Sequence, residues 1–179
     1  VENAMLPEDY PGAFDAEGRP ERLVPFAASF LVFAQRAPAL GLSTEELDAA
    51  ASRFVGARLG ARLPRPEHAP PPRPFDGATM LVKYDELQAS RAVLFRAATP
   101  TDRALVEASL AAGRAGGGLD RLALRCTAVL LVAAHGDDDA AALTIAEAAA
   151  RAWLGPVLTP SGALVGPKSL AAARKALAR

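Results

Sequence analysis

The chain carries two histidines and one cysteine, so reactive chemistry has to be sought where these meet carboxylates. The clearest such place is "HGDDD", His135 to Asp139. A histidine beside carboxylates suits a metal site or a general acid–base pair. Each of these residues also has a structural task. Gly136 stands where a left-handed helix C-cap belongs. His135 falls in a last helical turn, where positive charge is favoured. The aspartates open the next helix, Asp137 or Asp138 as its cap, worth roughly 0.5–2 kcal/mol. A metal needs further ligands, and the other histidine, His68, lies in a proline-rich segment. The structural task is the preferred reading, and neither a metal nor a cofactor is expected.

Cys126 stands among Leu122, Val129 and Leu130 and reads as a small buried apolar group. Arg58 and Arg62 are more unusual. If a helix runs from Thr44 to Leu63, Arg58 falls within its apolar arc and Arg62 near it. A buried arginine needs a partner, so the pair is a candidate site for an anionic ligand. Gly56 and Gly60 offer a plainer account, fraying the helix and releasing both arginines to water. The acidic residues Glu8, Asp9, Asp15, Glu17 and Glu21 are a further source of partners. "GRAGGG" and "GALVGPKS" resemble phosphate loops only in composition; neither has the P-loop spacing. They read as a flexible loop and a helix start.

Other residues suggest contacts rather than catalysis. Phe26, Phe30 and Phe33 share one stripe of a predicted helix over Val24–Gln35. They belong to the core or to an interface. The segment Asp139–Leu154 is apolar round most of its circumference, with a polar stripe of Thr144, Glu147 and Arg151. Such a helix is central in a domain or half of a dimer interface. Ala146 and Ala150 permit close approach of another helix, and Trp153 fills a pocket or anchors a contact.

Composition bounds the elements that must position these residues. The 179 residues fit one domain of ordinary size. Hydrophobic residues make up 51%, which excludes a disordered chain. Acidic and basic side chains balance at 20 each, unlike the basic excess of a nucleic-acid binder. The single cysteine excludes an internal disulfide and, with no leader pattern, points to the cytoplasm. The apolar runs are too short to cross a membrane. Arginine in excess of lysine, with abundant alanine, reads as a GC-rich bacterial coding bias. Met5 reads as the native start, and Val1–Ala4 are set aside.

The segment 1–20 reads as an irregular acidic arm, and 21–179 as a single helical domain. Ser43 and Glu46 form a capping-box pattern. The proline-dense connection 64–77 runs extended. A helix is predicted from Ala78 to Ala98, with strand character at Met80–Tyr84. Thr101 or Asp102 caps the next helix, Asp120 caps one reaching Ala134, and Pro167 opens a basic last one. The fold class expected is all-α, with about six or seven helices. The alternative is α/β with a small sheet from Met80–Tyr84, Thr127–Ala133 and Pro156–Leu158, the middle one a buried parallel strand.

These readings support three functions. The first is a non-catalytic protein acting through protein–protein contacts, as a homodimer, with Phe26, Phe30, Phe33, Ala146, Ala150 and Trp153 at the interface. The second is a small-molecule binder or enzyme that holds an anion with Arg58 and Arg62. The third, disfavoured by the neutral charge, is nucleic-acid binding through Lys168, Arg174, Lys175 and Arg179 of the last helix.

Overall fold

The computed structural model describes residues 28–41, 43–62, 78–84 and 89–179. The acidic arm 1–20, the proline-rich connection 64–77, Phe26 and His68 lie outside the described residues. Among the described residues the chain forms strand β1 (Ser29–Ala34), a short 3-10 turn at Pro38–Leu40, and helix α1 (Thr44–Val55). Strands β2 (Leu59–Arg62), β3 (Ala78–Tyr84) and β4 (Ala89–Ala97) follow. Then come α2 (Pro100–Ala111), α3 (Leu119–Arg125), β5 (Ala128–Ala133) and α4 (Ala140–Trp153). The two-residue strands β6 (Val157–Leu158) and β7 (Leu164–Val165) precede α5 (Pro167–Leu177).

The all-α expectation is therefore wrong. The strands form one seven-stranded sheet in the order β2-β3-β4-β5-β1-β6-β7, and every strand pairing in it is antiparallel. The α/β alternative is the right class, and its three strands fall on β3, β5 and β6. The strand it took to be parallel is antiparallel to both neighbours.

Parity along β1 shows why the helical stripe misled. Phe30, Val32 and Ala34 enter one core, while Leu31 and Phe33 enter another on the opposite face. In a strand, successive side chains alternate faces, so Phe30 and Phe33 part company. Both faces are covered by helices, so all six residues of β1 and all six of β5 are buried. A strand buried on both sides has no polar alternation to betray it. The first core packs α1, α4 and Leu170 of α5 on one face of the sheet. The second packs Val106 of α2 with Ala123 and Cys126 of the α3 region on the other.

Helix α1 begins as its capping pattern predicts, with Ser43 Oγ accepting from Glu46 N. It stops eight residues short of Leu63 because Gly56 adopts a left-handed conformation, φ 66°. The predicted helix over Ala78–Ala98 is instead β3 and β4, paired from Ala78↔Phe95 to Tyr84↔Ala89. The helix predicted from Asp120 to Ala134 ends at Arg125, and the apolar remainder is β5. Helix α5 opens at Pro167 as expected, whereas α2 already begins at Pro100, ahead of the expected cap at Thr101 or Asp102. The cap of α2 is Thr99, in a reciprocal capping box with Asp102.

Helix α4 follows β5 and is buried almost throughout, Thr144 and Glu147 included. Its alanines let α1, α5 and the sheet close on it. Past Trp153 the chain turns back along β1. Phe33 N donates to Pro156 O at 2.9 Å and Gln35 N to Trp153 O at 3.1 Å. These bonds extend the Leu31↔Leu158 and Val32↔Val157 pairing of β1 with β6.

Candidate functional site

The loop between β5 and α4 holds the histidine–aspartate cluster. Asp139 caps α4 by accepting from Ala142 N at 3.1 Å, in place of the expected Asp137 or Asp138. Its carboxylate also accepts from His135 N at 3.0 Å. Arg91 of β4 clamps it through Nε at 2.7 Å and Nη2 at 3.1 Å. Burial by itself would raise the Asp139 pKa. The Arg91 fork and the two backbone N–H groups outweigh it and hold the carboxyl below its ordinary range. Asp137 reaches the β6–β7 turn, accepting from Ser161 N at 2.8 Å and from the Ser161 hydroxyl. Arg114 Nη2 donates to Ser161 Oγ at 3.0 Å, so three loops meet there. The cluster ties elements together. Among the described residues no group of three or more histidines, cysteines or carboxylates is placed to hold a metal.

Cys126 is buried, and its thiol donates to Leu122 O at 3.3 Å. Burial raises its pKa, which suppresses the reactive thiolate. Arg58 is not on a helix, because α1 has already ended. Its guanidinium grips Asp48 in a fork, Nε to Oδ1 at 3.0 Å and Nη2 to Oδ2 at 2.9 Å. Asp48 also accepts from Leu59 N at 2.8 Å, and the Arg58 hydrogen bonds lower its pKa. Arg58 thus staples α1 to the start of β2. Arg62 belongs to β2 and not to a helix, and its side chain lies outside the described residues.

Of the expected interface residues, those that are described lie in the interior. Phe30, Ala146 and Ala150 have no exposed surface, Phe33 has 1% and Trp153 has 7%. The packing partners of Trp153 include Phe95, with ring centroids 5.6 Å apart, and the Arg36 guanidinium, 5.8 Å from its ring. The chain's own two cores take these side chains.

Of two ion-pair clusters, the sequence shows one pair alone, Glu147 with Arg151 four residues on. Glu147, 1% exposed, takes Arg151 Nε on one oxygen at 3.2 Å and Arg174 Nε on the other at 2.9 Å. Spacing along α4 suggests the first pair; only the tertiary fold brings Arg174 of α5. Arg96 of β4 grips Asp102 at 2.6 and 3.0 Å. Burial opposes ionisation of Asp102, but Arg96 and the Thr99 N–H outweigh it and lower its pKa. The Thr99-Asp102 spacing was the available signal for it.

The remaining surface feature lies where α1 meets α4. Ala49, Ala50, Arg53, Phe54, Arg151 and Ala152 line a shallow depression of about 270 Å³. The Arg53 guanidinium stands over the Phe54 ring at 5.0 Å. Leu154, just past α4, is 68% exposed and has φ 53°, the single positive value among described non-glycine residues. No nucleophile–base pair faces the depression. Its lining offers positive charge from Arg53 and Arg151 and the aromatic ring of Phe54. Among the described residues no helix is long and apolar enough to cross a membrane. No family model matches the chain, and neither a curated protein nor a solved structure gives a significant match.

Proposed function

We propose that this chain is a non-catalytic protein that acts through contacts with protein chains, as a homodimer. One observation carries the reading: the surface formed where α1 and α4 end. Leu154 keeps a large apolar side chain in water while its backbone holds a left-handed conformation. That conformation costs a residue with a Cβ roughly 1–2 kcal/mol. Strain of this kind, kept by the surrounding structure, gathers at functional surfaces. Phe54, in the last turn of α1, is 38% exposed and carries Arg53 on its ring. Arginine and aromatic side chains are enriched in protein interfaces. The reading puts the protein in the cytoplasm, supported by a lone buried thiol that needs no oxidising compartment.

Sedimentation equilibrium tests it. The wild-type chain is expected to reach twice its 18.5 kDa mass as concentration rises. Leu154→Gly relieves the strain and deletes the apolar group. It is expected to melt higher than wild type and to dimerise more weakly. A wild-type chain that stays monomeric at high concentration refutes the proposal.

A further inference from the structure

We propose that α1 of one chain packs antiparallel on α1 of a second copy, about a two-fold axis passing beside Ala49. The inference rests on the homodimer reading and names its contact. Glu45, Ala49 and Arg53 are all exposed and lie four residues apart on α1. Residues at this spacing form one ridge on a helix surface. The ridge carries an acid, a small residue and a base, with the alanine midway.

The other charged residues near this ridge are already committed. Glu46 pairs with Arg36, Asp48 with Arg58, and Glu147 with Arg151 and Arg174. Glu45 accepts from Ser43 Oγ at 2.9 Å but has no basic partner among the described residues. Arg53 rests on Phe54 and has no acidic partner among them. The two uncommitted charges are opposite in sign and equidistant from Ala49. A two-fold interface must be self-complementary, with each contact made twice. Antiparallel packing centred on Ala49 sets Glu45 of one chain against Arg53 of the other, and the reverse. Alanine at the crossing point lets the helices come close.

The depression adds a second reason. Arg53 and Arg151 both line it. The single carboxylate of Glu147 serves both Arg151 and Arg174, so the lining keeps positive charge. A Glu45 side chain from the second copy supplies the missing negative group. Phe54 holds the Arg53 guanidinium in place, which reduces the entropy lost on pairing.

Charge reversal tests the geometry. Glu45→Arg and Arg53→Glu are made separately, and each is examined alone and in an equimolar mixture. Alone, each places like charges across the axis, and the dimer dissociation constant is expected to rise by about tenfold or more. Mixed, the two variants present opposite charges at both contacts, and the heterodimer is expected to form with near wild-type affinity. The double variant is expected to homodimerise again. A mixture that stays monomeric overturns the pairing. So do single variants that dimerise like wild type, an outcome that leaves the homodimer reading standing. A monomeric wild type, by contrast, removes both.

Discussion

Gly155 offers the sharpest test of how α4 is joined to the sheet. A Cβ at this position would lie 1.4 Å from Phe33 O and 2.5 Å from Phe33 C. These are backbone atoms of a central strand and cannot swing aside. Ordinary contact begins near 3.4 Å, so Gly155→Ala must push the segment away from β1 by well over an ångström. That movement breaks the hydrogen bonds from Phe33 N to Pro156 O and from Gln35 N to Trp153 O. Each is worth about 1 kcal/mol net, and more when a buried group is left unpaired. Overpacking adds roughly 1–3 kcal/mol. The expected loss is about 3–6 kcal/mol, a large part of the stability of an ordinary domain. For a chain of 179 residues the melting temperature should fall by roughly 10–20 °C. Thermal unfolding followed by circular dichroism measures it. Gly117→Ala is the control, because a Cβ there meets nothing within 4 Å. If Gly155→Ala melts within a few degrees of the control, the close approach of this segment to β1 is wrong.

Removing Glu147 by Glu147→Ala leaves Arg151 and Arg174 facing each other across a buried site; a loss of about 3–5 kcal/mol in urea unfolding is expected, and Arg174→Ala should cost less, because Glu147 then keeps Arg151. Stability should also depend on acid. Asp102 and Asp139 are both lowered from an ordinary value of 3.8 by their arginines and backbone donors. Above that value they are ionised in both the folded and unfolded chain, and their stabilisation is complete. Below it the unfolded chain takes up protons first, so the urea midpoint should fall as pH drops through the range under 3.8. A midpoint that stays flat from pH 6 to 3 refutes the role of both pairs.

Where the chain marked its own helix ends, sequence and fold agree. Ser43 and Pro167 act through a local hydrogen bond and a fixed dihedral, and α1 and α5 begin beside them; the cap of α2 is Thr99, two or three residues before the expected Thr101 or Asp102. The strands were hidden by a different physics. "SFLVFA" and "AVLLVA" are buried on both faces, so no period distinguishes them from buried helix. Alanine in β3, β4 and β5 lent these segments a helical composition that tertiary pairing overrode. The carboxylates of "HGDDD" tie to Arg91 and Ser161, which come from distant parts of the chain and leave no local signal beside the cluster. Arg58 drew notice through a helix wheel that does not exist at that position. Arg53, which faces the depression, gave no such signal.

The place of β1 in the sheet also sets the order in which the protein can be made. Val32 pairs with Leu130 on one side and with Val157 on the other. As the chain leaves the ribosome, this strand precedes both of its partners by most of the protein's length. The hairpin of β3 and β4 joins residues close in sequence and can form early. β1 must wait for β5, and its second neighbour arrives only with the β6–β7 turn. Such non-local closure slows folding. Throughout the delay "SFLVFA" is an uncharged six-residue segment without proline, the kind that pairs readily with copies of itself. A strand buried along its whole length in the finished protein is thus an aggregation hazard in the unfinished one.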